Sequence, residues 1–152
     1  MNGKLALGSL GALAGAVVGA AAWAAITAAT NFQIGYMAVG VGYLAGYGMR
    51  RLGGITEPIF GYVAGAVALF GCVLGNVLTG VIVISKHDHY PFAEVAAATL
   101  RSDLALQILK DEFGLMDLVF YGIAVYAGYR TALAGARRAI AAPVTESAPE
   151  TP

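Results

Sequence analysis

The feature that most constrains this chain is a long uncharged segment near its amino terminus. From Leu5 to Met49 no residue carries a charge. About 20 apolar residues are enough for an α-helix to cross a bilayer, so this segment has room for two crossings. Its polar interruption, Thr30-Asn31-Phe32-Gln33, suits a tight turn at the membrane surface. The sequence therefore predicts an antiparallel hairpin of two spans, over about 5–29 and 33–49.

Two further spans are predicted in the second half of the chain. Residues 58–85 form another uncharged run behind Glu57, and both a proline in the first turn and a nearby acidic residue suit a helix amino terminus. The fourth span, about 115–136, is weaker because Asp117 and Arg130 must lie near the two interfaces, with the arginine snorkelling. We therefore predict an all-α integral membrane four-helix bundle of two antiparallel hairpins, with three spans as the alternative.

The long segment between the third and fourth spans has a helical pattern of its own. It predicts an interfacial helix over about 91–112 that lies on the membrane or caps the bundle. Beyond the predicted transmembrane domain, 1–140, residues 141–152 hold three of the five prolines and predict a disordered tail. The apolar residues at helical spacing in the interfacial segment are Phe92, Val95, Ala96, Leu100, Leu104 and Ile108.

The basic residues predict the orientation of the chain. With four spans, six basic residues fall on the side of the two termini and three on the other, so the positive-inside rule places both termini in the cytoplasm. A cleavable signal peptide is the alternative interpretation of the first segment, although its apolar run exceeds the 7–15 residues of a signal peptide. The first group is Lys4, Arg50, Arg51, Arg130, Arg137 and Arg138, and the second is Lys86, Arg101 and Lys110.

Composition excludes several functional classes. Hydrophobic residues make up 59% of the chain and charged residues 12%, against roughly 25% charged in an average soluble domain. Nine basic and nine acidic residues balance, so no basic surface for nucleic acid is expected. The single cysteine excludes an intramolecular disulfide. With no Ser/His/Asp set, HExxH motif or P-loop, we expect no enzyme activity and no cofactor.

Glycines recur at helical spacing and form small-residue faces on the first three spans. Such faces let another helix backbone approach closely, either between copies of the chain, as in a glycine zipper, or within one bundle. The second interpretation is favoured. The residues predicted to pack helices are Gly11, Gly15 and Gly19 on the first span, Gly42 and Gly46 on the second, and Gly61 and Gly65 on the third.

Asn76 is the one strongly polar side chain in the middle of a predicted span. It shares the small-residue face of the third span with Cys72 and Thr79, so we expect it to face protein and to hydrogen-bond to another helix. The alternative is a polar path for a substrate or ion. That path would be lined by Asn76, Tyr43, Tyr47 and Tyr126.

His87-Asp88-His89 is the one metal-like cluster in the sequence. Closed zinc sites usually need four ligands, and adjacent side chains in an extended loop point in different directions. We therefore interpret His87 and His89 as part of a solvated loop and predict no metal site.

Three stretches resemble segments of an uncharacterised family of small Gly-rich multi-span bacterial inner-membrane proteins. They are residues 31–43, 68–76 and 116–129, which read NFQIGYMAVGVGY, ALFGCVLGN and MDLVFYGIAVYAGY. The resemblance implies a multi-pass protein of the bacterial inner (cytoplasmic) membrane and supplies no activity.

Two functional hypotheses follow. The first is an integral membrane protein of structural or accessory type that associates through its Gly-rich faces with itself or with another membrane protein. The second is a small oligomeric channel or transporter with a polar path near Asn76. Both have the lipid bilayer as a partner. A packed interior without a continuous polar route favours the first hypothesis.

Overall fold

The protein is all-α in the part of the chain that its computed structural model describes, residues 2–30, 35–54, 57–112 and 114–141. This confirms the all-α part of the predicted fold class. Within those ranges the helices are α1 (Asn2–Thr30), α2 (Tyr36–Gly53), α3 (Pro58–His87), α4 (Phe92–Arg101), α5 (Leu104–Glu112) and α6 (Leu115–Ala141). The predicted turn residues 31–33 and the tail residues 142–152 lie outside the described residues.

The four long helices pack side by side in the cyclic order α1, α2, α6, α3, and α2 also touches α3 across the centre. Two pairs of the long helices run antiparallel, α1 with α2 and α3 with α6. In the first pair, Gly8 of α1 lies beside Met49 near the end of α2, and Gly19 lies beside Val41. In the second pair, Gly61 near the start of α3 lies beside Tyr129 of α6.

The two antiparallel pairs contact each other through helices that run in the same direction. Gly42 and Gly46 of α2 lie against Ala124 and Gly128 of α6, so these two helices run in the same direction. The helices α1 and α3 are likewise parallel. Two charged ends, those of α2 and α6, consequently lie together at one end of the structure.

Small side chains fill the core. This composition lets helix backbones approach closely, so dispersion contacts between backbones replace the large side chains of a water-soluble core. The large buried side chains are few, chiefly Trp23, Met49 and Phe60. The fully buried alanines are Ala12, Ala16, Ala20, Ala38, Ala45, Ala64, Ala68, Ala124 and Ala132.

Two of the described helices, α1 (over Gly3–Thr30) and α3 (Pro58–His87), are long and apolar enough to cross a membrane, by length and composition. The other two long helices carry charges that lower their hydropathy. Those charges are Arg50 and Arg51 in α2, and Asp117, Arg130, Arg137 and Arg138 in α6.

The segment after α3 differs from the single helix predicted over 91–112, because it forms two helices, α4 and α5. The break lies at Ser102, whose backbone is extended (φ −132°, ψ 176°). Its hydroxyl donates to the carbonyl of Ala98 (2.8 Å) and accepts the N–H of Leu104 (3.3 Å). Serine side chains compete with helical hydrogen bonds in this way, so the apolar period continues while the helix does not.

Both short helices are held against the end of α3. Val95 of α4 and Ile108 of α5 form a small buried cluster with Val81. Gly80 of α3 leaves the space that the Ile108 side chain occupies. The segment 92–112 is therefore docked on α3 by apolar packing.

Candidate functional site

The buried polar centre of the structure is a hydrogen bond between α3 and α6. The Asn76 side-chain N–H donates to the Tyr121 hydroxyl (2.5 Å), which donates in turn to the backbone carbonyl of Cys72 (3.4 Å). Asn76 is 1% exposed and Tyr121 is 5% exposed. Burying an amide in hydrocarbon without a hydrogen-bond partner costs roughly several kcal/mol. The hydrogen bond to Tyr121 avoids part of that cost.

Tyr121 was not among the residues predicted for this site. A signal for it exists in the sequence, because Tyr121, Ala124, Gly128 and Ala132 fall on one face of α6 at helical spacing. The structure buries all four of these residues. The helical pattern of α6 therefore marks Tyr121 as part of a small-residue face, although spacing alone does not pair that face with α3.

The three tyrosines predicted to share a polar path with Asn76 lie on the outer surface. Tyr43 is 53% exposed, Tyr47 is 37% exposed and Tyr126 is 59% exposed. The rings of Tyr43 and Tyr47 stack, with centroids 6.3 Å apart. The structure therefore places the amide inside and these rings outside.

The predicted glycine face of α1 lies against the backbone of α2. A Cβ added at Gly11 would overlap the carbonyl group of Gly48, and one at Gly15 would overlap that of Leu44. At Gly19 the nearest atom is the Cα of Val41, 3.0 Å from such a Cβ. The groove on α1 is thus occupied by a helix of the same chain.

The glycines of α2 and α3 meet α6. A Cβ at Gly42 would overlap the carbonyl of Ala124, and one at Gly46 would overlap that of Gly128. A Cβ at Gly61 would lie 2.7 Å from the Tyr129 ring, and one at Gly65 would lie 3.1 Å from the Val125 side chain. Each of the seven glycines predicted to pack helices is therefore close to another helix of this chain.

A basic cleft lies between α2 and α6 at the end where both helices carry arginines. Its volume is about 370 Å³, and two of its five lining residues are arginines and two carry a hydroxyl group. Neither arginine forms an ion pair with a described residue. Among the described residues, the one ion pair joins His87 and Asp88. The lining residues are Tyr43, Arg50, Arg130, Thr131 and Ala134, which we call the basic cleft.

Aromatic rings position the arginines around this cleft. The Arg50 Cζ lies 5.6 Å from the centroid of the Tyr47 ring, and the Arg51 Cζ lies 5.9 Å from the same ring. The Arg130 Cζ lies 5.6 Å from the Tyr126 ring, and its Nη1 donates to the Tyr126 hydroxyl (3.4 Å). Arg130 therefore leans toward the middle of α6, as helical side chains lean toward the helix amino terminus.

The histidine cluster lies on the surface. His87 Nδ1 is 2.9 Å from the Asp88 carboxylate, and both side chains are exposed. Among the residues that the structure describes, no three metal-ligating side chains come together.

Comparisons with protein-family models, with curated proteins and with solved structures found no match to this chain. The resemblance to small bacterial multi-span proteins therefore stays a prediction.

Proposed function

We propose that this chain is an integral membrane protein of structural or accessory type, built as a four-span bundle of two antiparallel hairpins. Close packing of the interior is the observation that carries the proposal. Four of the described polar side chains are buried, those of Thr27, Asn76, Thr79 and Thr99, and Thr79 and Thr99 donate to carbonyls of their own helices. The Thr27 hydroxyl and the Trp23 indole N–H have no hydrogen-bond partner among the described residues. So few buried polar groups do not favour a continuous polar route for a solute.

The outward surface supports a membrane location. On α1, Leu7, Leu10 and Val18 are each more than half exposed, although this helix also contributes to the core. On α6 the same holds for Leu118 and Val119. Extended apolar surface of this kind is rare on soluble monomers but is the normal outer surface of membrane helices.

The position of α1 supports a retained first span instead of a cleaved signal peptide. Trp23 and Ala16 of α1 are buried against α2 and α3, within the main apolar cluster. Removing α1 would expose the small-residue faces of both neighbours. We therefore keep four spans, with both termini on the cytoplasmic side of a bacterial inner membrane, as the basic residues predict.

The two short helices support an interfacial position for the segment 92–112. Each turns one apolar residue toward α3, namely Val95 and Ile108. Each also turns a leucine outward, with Leu100 at 88% and Leu106 at 58% exposed. We propose that these leucines enter the membrane surface while the charged side chains of the segment stay in water.

The channel alternative has less support. The Asn76 amide is engaged by Tyr121 inside the structure, and the tyrosines of the proposed path lie outside. Association with a second copy or with another membrane protein remains part of the proposal. The space beside the seven glycines is occupied by other helices of the same chain. We therefore place that contact on the outward faces of α2 and α6, where a Cβ added at Gly40 or Gly122 would have no neighbour within 4 Å.

A membrane extraction tests the location. Membranes from cells that express the full chain are treated with alkaline carbonate, which strips peripheral proteins. We expect the chain to stay in the pellet and to be released by detergent. Release by carbonate alone would contradict the proposal.

A flux measurement tests the functional class. The purified chain is reconstituted into vesicles loaded with potassium or glycerol, and efflux is compared with that from empty vesicles and from vesicles containing the Asn76→Leu variant. We expect all three efflux rates to be equal. Efflux that requires the wild-type chain and disappears with Asn76→Leu would establish the channel instead.

A further inference from the structure

We propose that the basic cleft binds the phosphate headgroup of an anionic phospholipid. The first observation is the positive charge of the residues that line the cleft. Arg50 and Arg130 line one cleft, and no described acidic side chain pairs with either of them. Because this inference needs a bilayer as the source of its ligand, it rests on the proposed membrane location.

The depth of Arg130 makes compensation of its charge necessary. Gly61 of α3 lies against Tyr129 and Leu133 of α6, so Arg130 lies at the level of the first turn of α3. Gly61 is three positions after Pro58, where α3 begins, which corresponds to roughly 5 Å along the helix. In the proposed four-span arrangement, we place that level at the boundary between headgroups and acyl chains.

The orientation of the Arg130 side chain strengthens this requirement. Its guanidinium leans toward the Tyr126 ring, away from the carboxyl end of α6. A cation at this depth is costly unless an anion or water meets it. The anion that a membrane itself supplies at this level is a lipid phosphate.

The cleft also has the donors that a phosphodiester requires. Gly46 of α2 lies against Gly128 and Thr131, so Arg50, four residues later, lies about one helical turn from Arg130 along the axis. Guanidinium groups bind phosphate oxygens through paired N–H donors. Tyr43 and Thr131 line the same cleft, and each has a hydroxyl group that can donate to a phosphate oxygen.

The size and the opening of the cleft fit a headgroup. A volume of about 370 Å³ accommodates a phosphate with its glycerol. The neighbouring Tyr43 and Tyr126 are more than half exposed, so their rings present an apolar surface to acyl chains. Basic pockets between membrane helices on the cytoplasmic side recognise anionic lipids by this combination.

Native mass spectrometry of the delipidated full chain in detergent tests the proposal. The probes are dioleoylphosphatidylglycerol and dioleoylphosphatidylcholine, which share acyl chains and differ in net charge. We expect the anionic lipid to bind tighter, by roughly fivefold for each arginine that contacts phosphate, which corresponds to about 1 kcal/mol. Equal affinity for the two lipids would overturn the proposal.

Substitutions locate the site. Arg50→Gln and Arg130→Gln should each weaken phosphatidylglycerol binding roughly fivefold and phosphatidylcholine binding by a smaller factor, because the choline cation offsets the charge of its phosphate. Arg51→Gln is the matched control, because it removes the same charge from the neighbouring residue, which does not line the cleft. We expect less than a twofold effect there. An effect of Arg51→Gln equal to that of Arg50→Gln would indicate general surface charge and would overturn the assignment.

Two further measurements keep the outcomes distinct. Should Arg50→Gln lower the thermal midpoint, the folded Arg130→Gln variant decides alone, and unchanged phosphatidylglycerol binding by that variant would overturn the proposal. Millimolar inorganic phosphate should leave the lipid bound, whereas displacement by free phosphate would refute a lipid site. Carbonate extraction separately reports the membrane location, so a chain that stays in the membrane without lipid preference refutes only this inference.

Discussion

Gly11 of α1 and Gly48 of α2 lie backbone against backbone. A Cβ at either position would overlap the carbonyl group of the other residue. The two helices can therefore lie this close only while both residues are glycine. In the proposed membrane location, where no hydrophobic force drives helices together, close approach of this kind is the main source of association energy. The contact joins the first two helices along the seam on which the packed interior depends.

Gly48→Ala should therefore destabilise the protein strongly. The added methyl group meets a carbonyl of α1 that belongs to rigid helix backbone, so the helices must separate. Overpacking of this kind costs about 1–3 kcal/mol. The measurement is the thermal midpoint of the purified chain in one detergent.

Gly40→Ala is the control for that experiment. Gly40 lies on the same helix, but a Cβ there has no neighbour within 4 Å. We expect an unchanged or slightly higher midpoint, because alanine is the better helix former by up to about 1 kcal/mol. Equal losses for the two variants would mean that the seam between α1 and α2 is not closely packed.

The bond between Asn76 and Tyr121 should be worth little by itself. Measured side-chain hydrogen bonds in membrane proteins average below about 1 kcal/mol, so Asn76→Leu and Tyr121→Phe should each lower the stability modestly. The double variant should lose less than the sum of the two single losses, because the residues share one contact. Unfolding free energies in a detergent titration give the cycle. Strict additivity would show that the two side chains do not interact.

The helical periodicity of the sequence anticipates a good part of this structure. The all-α class follows from long apolar segments punctuated by glycine, and spacing alone puts Asn76 on a small-residue face. Spacing does not identify the helix that lies opposite. The glycines of α1 could meet α2 or another copy with the same pattern, and only the three-dimensional packing selects Gly48 as the neighbour of Gly11.

Local hydrogen bonds and side-chain direction explain the structural features that the sequence did not predict. The apolar pattern of 91–112 runs through Ser102, where a hydroxyl ends one helix before the next begins. Arg130 was expected to snorkel, yet its side chain leans back to Tyr126. The basic cleft was not anticipated, because Arg50 and Arg130 are far apart in the sequence and meet only when α2 and α6 pack in parallel.

Docking of the two short helices on α3 gives a local prediction. Gly80→Leu should displace the Ile108 side chain and release α5 without unfolding the long helices. A local loss of about 1–3 kcal/mol corresponds to roughly tenfold faster tryptic cleavage at Arg101 and Lys110. Val83→Leu, on the exposed side of α3, should leave cleavage unchanged. Equal cleavage of the two variants would indicate that the segment 92–112 does not dock there.

The most direct test of the four-span topology is the sidedness of two introduced cysteines. Asp88→Cys, after α3, and Ala148→Cys, in the tail, are made separately in a Cys72→Ala background and exposed to a membrane-impermeant thiol reagent in intact cells. Four crossings place position 88 outside and position 148 inside, so only the first should label until the membrane is permeabilised. Labelling of both positions from the same side would contradict four spans, since either two crossings, by α1 and α3, or three, without α6, put both positions on one side of the membrane.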